Sequence, residues 1–202
     1  IFYPATALLT FPDDDCAVLS IVNPREIAAM ATDQGALPVA ADYTTPYADL
    51  LARSKLGMLG RDGFRMPGSA GRRGLYLLEP YHPAKTPVVL VHGLASSPMA
   101  WRELTNAIFG RPDLRDRYQV WHYFYPTGVP YLYAGRQFRD TLDRAFAELD
   151  PSGDDWASSD VVLVGHSMGG LLAKTAVAAS GQTLWDAAFT VPPDQLDVSA
   201  DD

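Results

Sequence analysis

The residues with the clearest chemical meaning are Gly165-His166-Ser167-Met168-Gly169. A serine flanked by glycines at this spacing has the form G-x-S-x-G, the pattern of a nucleophile elbow. The chemistry would be attack of a serine hydroxyl on an acyl carbonyl. The serine sits in a strained conformation between a strand and a helix, which lifts its hydroxyl clear of the sheet. The helix then doubles back against the strand it has just left. Gly165 and Gly169, having no Cβ, allow that approach, and His166 and Gly170 complete the turn. The helix N-terminus directs N–H groups and the positive end of its dipole at the site. The Met168 N–H is therefore expected to be half of an oxyanion hole.

Such a turn needs a strand before it and a helix after it, and both are legible. Asp160-Val161-Val162-Leu163-Val164 leads in, and Leu171-Leu172-Ala173 begins the helix beyond. Upstream, Leu75–Glu79 reads as a strand stopped by Pro80. Pro87–Val91 is apolar at every position, which suits a buried parallel strand. Ser97 is expected to cap a helix with Pro98 at its first position, running to Phe109. Gln119–Tyr125 is the next strand. A long amphipathic helix, Tyr131–Leu149, carries the stripe Ala134, Phe138, Leu142, Ala145, Phe146 and Leu149. Asp150–Asp155 is a polar connection. Strands alternating with helices predict an α/β fold with a mostly parallel sheet flanked by helices.

The first 73 residues form an extension that reads less clearly. Cys16–Val22 reads as a strand closed by Asn23-Pro24, Ile27–Ala31 as a short helical turn, and Tyr47–Leu59 as a helix opened by Pro46. Residues 60–74 form a Gly-rich, basic loop. Residues 74–180 are the core, and 181–202 the start of a cap or a following segment.

The 202 residues carry a net charge of −8. That balance argues against nucleic acid and against a strongly anionic membrane surface. No apolar run approaches the roughly 20 residues of a membrane helix. Cys16 is the single cysteine and follows three aspartates, unlike a lipid-attachment site. The chain begins at Ile1, so the natural start, with any signal peptide, is expected to lie upstream.

An oxyanion hole needs a second N–H donor from another loop at the carboxyl edge of the sheet. Val91-His92-Gly93-Leu94 is the natural supplier. With this loop and the Ser167 elbow, the chain resembles the α/β-hydrolase superfamily, in its H-G-x branch of lipases and esterases. Val91–Pro98, Tyr125-Pro126-Thr127-Gly128, Asp42-Tyr43-Thr44-Thr45-Pro46 and Trp185–Phe189 are also similar to a group of bacterial envelope-associated esterase-like proteins. The resemblance implies Leu94 N–H as the second oxyanion donor, with His92 and Gly93 shaping the loop. It implies a strand order of 1-2-4-3-5-6-7-8 and an envelope location, with the cytoplasm as the alternative. It implies a small-molecule or lipid ester as substrate, with no metal and no organic cofactor. Membrane association and oligomeric state stay open.

A serine hydrolase also needs a base and a carboxylate to orient it. In this superfamily both follow the serine, yet no histidine follows Ser167. His166 lies inside the elbow, His122 in mid-strand, and His82 in a loop before the oxyanion strand. Asp186, Asp194, Asp197, Asp201 and Asp202 follow the serine with no strand to present them. The strand into Ser167, apolar on both faces, would be left at an edge, which natural proteins avoid. The expectation is the N-terminal part of a longer serine esterase or lipase. The other reading is a non-catalytic binding or scaffold protein of the same fold. Acyltransferase, thioesterase and amidase chemistry would use the same nucleophile. Tyr125, Tyr131 and Tyr133 are candidates to line an acyl pocket, with packing in the core or at the surface as the equal alternative.

Overall fold

The computed structural model describes residues 4–32, 35–43, 45, 49, 73–179, 181–192 and 195. The expected helix at Tyr47–Leu59 and most of the 60–74 loop lie outside them. The strands are β1 (Thr6–Asp13), β2 (Cys16–Val22), β3 (Ala29–Thr32), β4 (Gly35–Pro38), β5 (Gly74–Leu77), β6 (Thr86–Val91), β7 (Tyr118–Phe124) and β8 (Val162–Gly165). The helices are α1 (Arg102–Gly110), α2 (Pro112–Arg115), α3 (Tyr131–Leu149), α4 (Trp156–Ser159), α5 (Met168–Val177) and α6 (Thr183–Ala188).

Four strands form the central sheet in the order β5-β7-β6-β8. β6 runs parallel to both β7 and β8, and β5 runs antiparallel to β7. With β5 to β8 counted as strands 2 to 5, this is the 2-4-3-5 part of the expected order. Every residue of β6 is buried, because successive side chains face opposite layers and both layers are filled. Val89 and Val91 pack with Trp121, Tyr123, Phe138 and Leu172 on the α3/α5 side. Val88 and Leu90 pack with Val120, Ile108 and Phe109 on the α1 side. β8 pairs only with β6 among the described residues, and its Val162 is 39% exposed.

The long helix α3 has the predicted bounds. Ala134 and Phe138 of its stripe are buried, and Leu142, Phe146 and Leu149 are packed against the same cluster. Gly135 lets it approach α5: a Cβ there would meet Thr175 Oγ1 at 2.6 Å. Ser97 stands at the N-cap position of a 3-10 turn, Pro98–Trp101, that precedes α1, but its side chain makes no capping hydrogen bond. The connection after α3 is more ordered than a polar linker. Asp150 accepts from the N–H groups of Gly153, Asp154 and Asp155 and from the hydroxyls of Ser152 and Ser158.

In the extension, β2 matches the predicted strand and pairs with β1 in a hairpin. Residues 29–32 are extended and pair with β4, which corrects the expected helical turn at Ile27–Ala31. Strand pairing outweighs the helical preference of Ala and Met there. Tyr43 ties the extension to the core. It is buried; its hydroxyl donates to Pro24 O at 2.8 Å and accepts from Arg115 at 3.2 Å.

Candidate active site

Ser167 occupies the junction of β8 and α5 with φ 55° and ψ −124°. A positive φ on a non-glycine residue with this ψ lies in a sparsely allowed region and costs on the order of 1–3 kcal/mol. The junction is tight enough to hold it. A Cβ on Gly165 would lie 2.5 Å from Gly169 O, Gly170 N and Gly170 Cα. A Cβ on Gly169 would collide with Val91 O and come within 2.5 Å of His92 O. Gly170 has more room, with its nearest neighbour, Gly165 O, at 3.5 Å. The turn is closed by Gly169 N–H to His166 O at 2.9 Å and Gly170 N–H to Ser167 O at 2.8 Å. The side chains of His166 and Ser167 are exposed.

The first N–H groups of a helix have no intrahelical acceptor. At α5 the turn consumes those of Gly169 and Gly170, and Met168 N–H meets no acceptor among the described residues. The same holds for Leu94 N–H in the loop after β6. That loop lies directly on the elbow. A Cβ on Gly93 would be 3.0 Å from His166 Nδ1 and 3.1 Å from Ser167 Cβ. His166 N–H also donates to Val91 O at 3.1 Å. Adjacent parallel strands thus bring the two segments together, although Ser167 stands 74 positions after Gly93 in the chain.

His92 is fully buried and stacked on Tyr125, with ring centroids 4.6 Å apart. Its Nδ1–H donates to Gly93 O at 3.0 Å, and Nε2 accepts from Tyr125 N–H at 3.5 Å. Burial lowers its pKa to about 4, with the Gly93 bond opposing the shift. The Tyr125 hydroxyl donates to His92 O at 2.9 Å. Tyr125 is therefore a core residue beneath the loop, the packing alternative of the two that its sequence left open. Tyr131 and Tyr133, at the start of α3, are exposed.

His122 and His82 sit apart from Ser167, whereas His166 adjoins it in the turn and makes no hydrogen bond to its Oγ among the described residues. His122 is buried on the α1 face, bonded to Thr105 Oγ1 at 3.1 Å and to the Pro98 carbonyl. Burial, then the neighbouring His92, lowers its pKa to about 3. His82 precedes β6 at the amino edge of the sheet, its backbone N–H and carbonyl held by the Gln119 side chain. A six-residue strand puts it roughly 20 Å from the carboxyl edge. Among the described residues no group hydrogen-bonds Ser167 Oγ. Asp186 is exposed on α6, and Asp194, Asp197, Asp201 and Asp202 lie outside the described residues.

Two features of the loop carried no sequence signal. Ala95 has φ 53°, and its N–H donates to the hydroxyl of buried Thr127 at 3.1 Å. Thr127 belongs to the Tyr125–Gly128 segment noted above, but nothing in its sequence context points to Ala95.

Among the described residues no cluster of three or more His, Cys, Asp or Glu could hold a metal ion. No helix there is long and apolar enough to cross a membrane. Comparison with curated proteins and with solved structures finds no match. The family described as the alpha/beta hydrolase family matches residues 88–201, which span β6, the loop after it, the elbow and α6. With more than half of its length covered by that match, and with a strand–turn–helix elbow at the carboxyl edge of a β5-β7-β6-β8 sheet, this chain belongs to the alpha/beta hydrolase family.

Proposed function

We propose that the protein is a serine hydrolase acting on carboxylic esters, with Ser167 as its nucleophile. The observation that carries this reading is the backbone of Ser167. An exposed serine with φ 55°, wedged between glycines that tolerate no Cβ, holds strain that packing alone would not require. In the proposed reaction Ser167 Oγ attacks the ester carbonyl and loses its proton to a base. The carbonyl oxygen becomes an oxyanion, which Leu94 and Met168 N–H groups receive. Donors of this kind contribute roughly 3–4 kcal/mol each to the transition state in acyl transfer. The tetrahedral intermediate collapses, the alcohol leaves with the base's proton, and water releases the acyl group by the same steps. Both N–H groups lack acceptors among the described residues, which supports this use.

His92 and His122 are held neutral in internal hydrogen bonds, and His82 is at the opposite edge. His166, though beside Ser167, makes no hydrogen bond to its Oγ, so the proposal needs a histidine and a carboxylate that the described residues do not present. The exposed Leu94, Leu132, Tyr131 and Tyr133 near the carboxyl edge favour an apolar acyl group over a charged one. A bacterial envelope location remains part of the proposal through the resemblance alone.

The second reading is a non-catalytic binding protein of this fold, favoured by the absence of a described base on Ser167 Oγ. A fluorophosphonate probe separates the two, since only an activated serine reacts quickly. Rapid labelling of the full-length protein, abolished in Ser167→Ala, is the expected result. Absence of labelling in a folded full-length protein would favour the binding reading.

A further inference from the structure

The direction of an oxyanion donor is set by the peptide plane that carries it. Leu94 N–H shares its plane with Gly93 C=O, and in a trans peptide the two point opposite ways. Gly93 O is gripped twice, by His92 Nδ1–H at 3.0 Å and by Ser96 N–H at 3.3 Å. The next plane, Leu94 C=O with Ala95 N–H, is held by Thr127 Oγ1 at 3.1 Å. Without an acceptor for that N–H, Ala95 would have reason to leave the left-handed region, which disfavours any residue with a Cβ. Ser96 N–H, which grips Gly93 O, follows Ala95 in the chain, so a rotation at Ala95 withdraws that donor and frees the Gly93–Leu94 plane that carries Leu94 N–H. Thr127 is only 4% exposed and comes from the loop after β7, the strand beside β6. The anchor is therefore rigid and independent of the oxyanion loop itself.

We propose that Thr127 is a positioning residue: its hydroxyl clamps the Leu94–Ala95 peptide so that Leu94 N–H stays aimed at the oxyanion above Ser167. This rests on the serine-hydrolase reading above. Thr127 touches neither substrate nor reacting atoms and acts only through the loop.

The test is the rate of Ser167 phosphonylation by a p-nitrophenyl alkylphosphonate in the full-length protein, whose phosphoryl oxygen occupies the oxyanion position. Thr127→Val keeps the branched shape and deletes the acceptor. It is expected to lower the maximal labelling rate about tenfold to a hundredfold with little change in the concentration giving half-maximal rate, a fraction of the loss on deleting a donor outright. Thr127→Ser keeps the acceptor and should restore the rate to within about threefold of wild type. A Thr127→Val rate equal to wild type overturns the inference, and so does a Thr127→Ser rate as low as that of Thr127→Val. Absence of labelling in wild type would sink the serine-hydrolase reading instead. Should Thr127→Val fail to fold, amide exchange in the wild type decides the matter. Ala95 N–H should be protected before labelling, and Leu94 N–H should become protected only after it. Equally fast exchange at both before labelling, or no gain at Leu94 afterwards, would refute the clamp.

Discussion

Two adjacent glycines of the elbow should respond to alanine with opposite signs. At position 169 the new Cβ would press on the carbonyl oxygens of Val91 and His92, the second at 2.5 Å, and on Val91 C at 2.7 Å. Relaxed contacts between such atoms begin near about 3.5 Å, so the backbones must part by about 1 Å. β6 cannot retreat, because it is buried at every position between β7 and β8. The start of α5 must move instead. Overpacking costs about 1–3 kcal/mol as a rule and about 3–4 kcal/mol where, as here, backbone must shift, and the helix propensity of alanine returns about 1 kcal/mol. The net expectation for Gly169→Ala is a loss of roughly 2–3 kcal/mol, or about 5–10 °C in Tm for a chain of this size. At position 170 the nearest atoms stand at 3.5 and 3.8 Å, ordinary contacts. Gly170→Ala should therefore gain roughly 0.5–1 kcal/mol from propensity alone, seen as about 2–3 °C. Thermal melts followed by circular dichroism, with urea titrations at 25 °C, measure both. A Gly169→Ala Tm within a degree of wild type, or a Gly170→Ala loss as large as that at 169, would refute the packing argument. The 1 Å shift of α5 also carries Met168 N–H away from its place, so Gly169→Ala should label at Ser167 about a hundredfold more slowly.

Three further outcomes are expected. Ser167→Gly should be more stable than Ser167→Ala by about 1 kcal/mol in urea titration, because only glycine adopts φ 55° without strain; equal stabilities would mean that the backbone stores nothing there. His92 and His122 titrate near pH 6.5 when unfolded but near 4 and 3 when folded. Unfolding thus takes up protons between those values, and stability should fall as pH drops below 6.5, by at most roughly 3 kcal/mol per pH unit for the pair; urea midpoints at pH 7, 5.5 and 4.5 check the sign, and a flat profile would contradict it. Asp150 has its pKa lowered, first by the Ser158 hydroxyl, with the Asp155, Ser152 and Gly153 bonds adding to it. Its contribution is present above the usual carboxylate range and lost as pH falls through the depressed folded value, so Asp150→Ala should lower Tm at pH 7 and weaken the acid dependence below pH 4. An unchanged acid limb would remove Asp150 from that role.

The core was legible because burial leaves a periodic trace. Pro87–Val91 is apolar at every position because β6 is covered on both faces, and the 3.6-residue stripe from Ala134 to Leu149 marks the helix that covers one of them. The extension was harder, since β1 to β4 are hairpins with largely exposed faces. Such strands need no alternation of apolar and polar residues, so Ala29–Thr32 looked helical until paired.

The sequence by itself determined Ser167 and the small residues around it, because a tight strand-to-helix turn admits few side chains and each leaves its letter in the chain. Only the tertiary structure decided what meets that turn. The parallel pairing of β6 with β8 sets Gly93 against Ser167. Burial beneath Tyr125 turns His92 into a neutral strut of the loop. The packing of β7 beside β6 delivers the Thr127 hydroxyl to Ala95. These contacts join residues far apart in the chain through strand neighbours, and local spacing carries no record of which strands become neighbours.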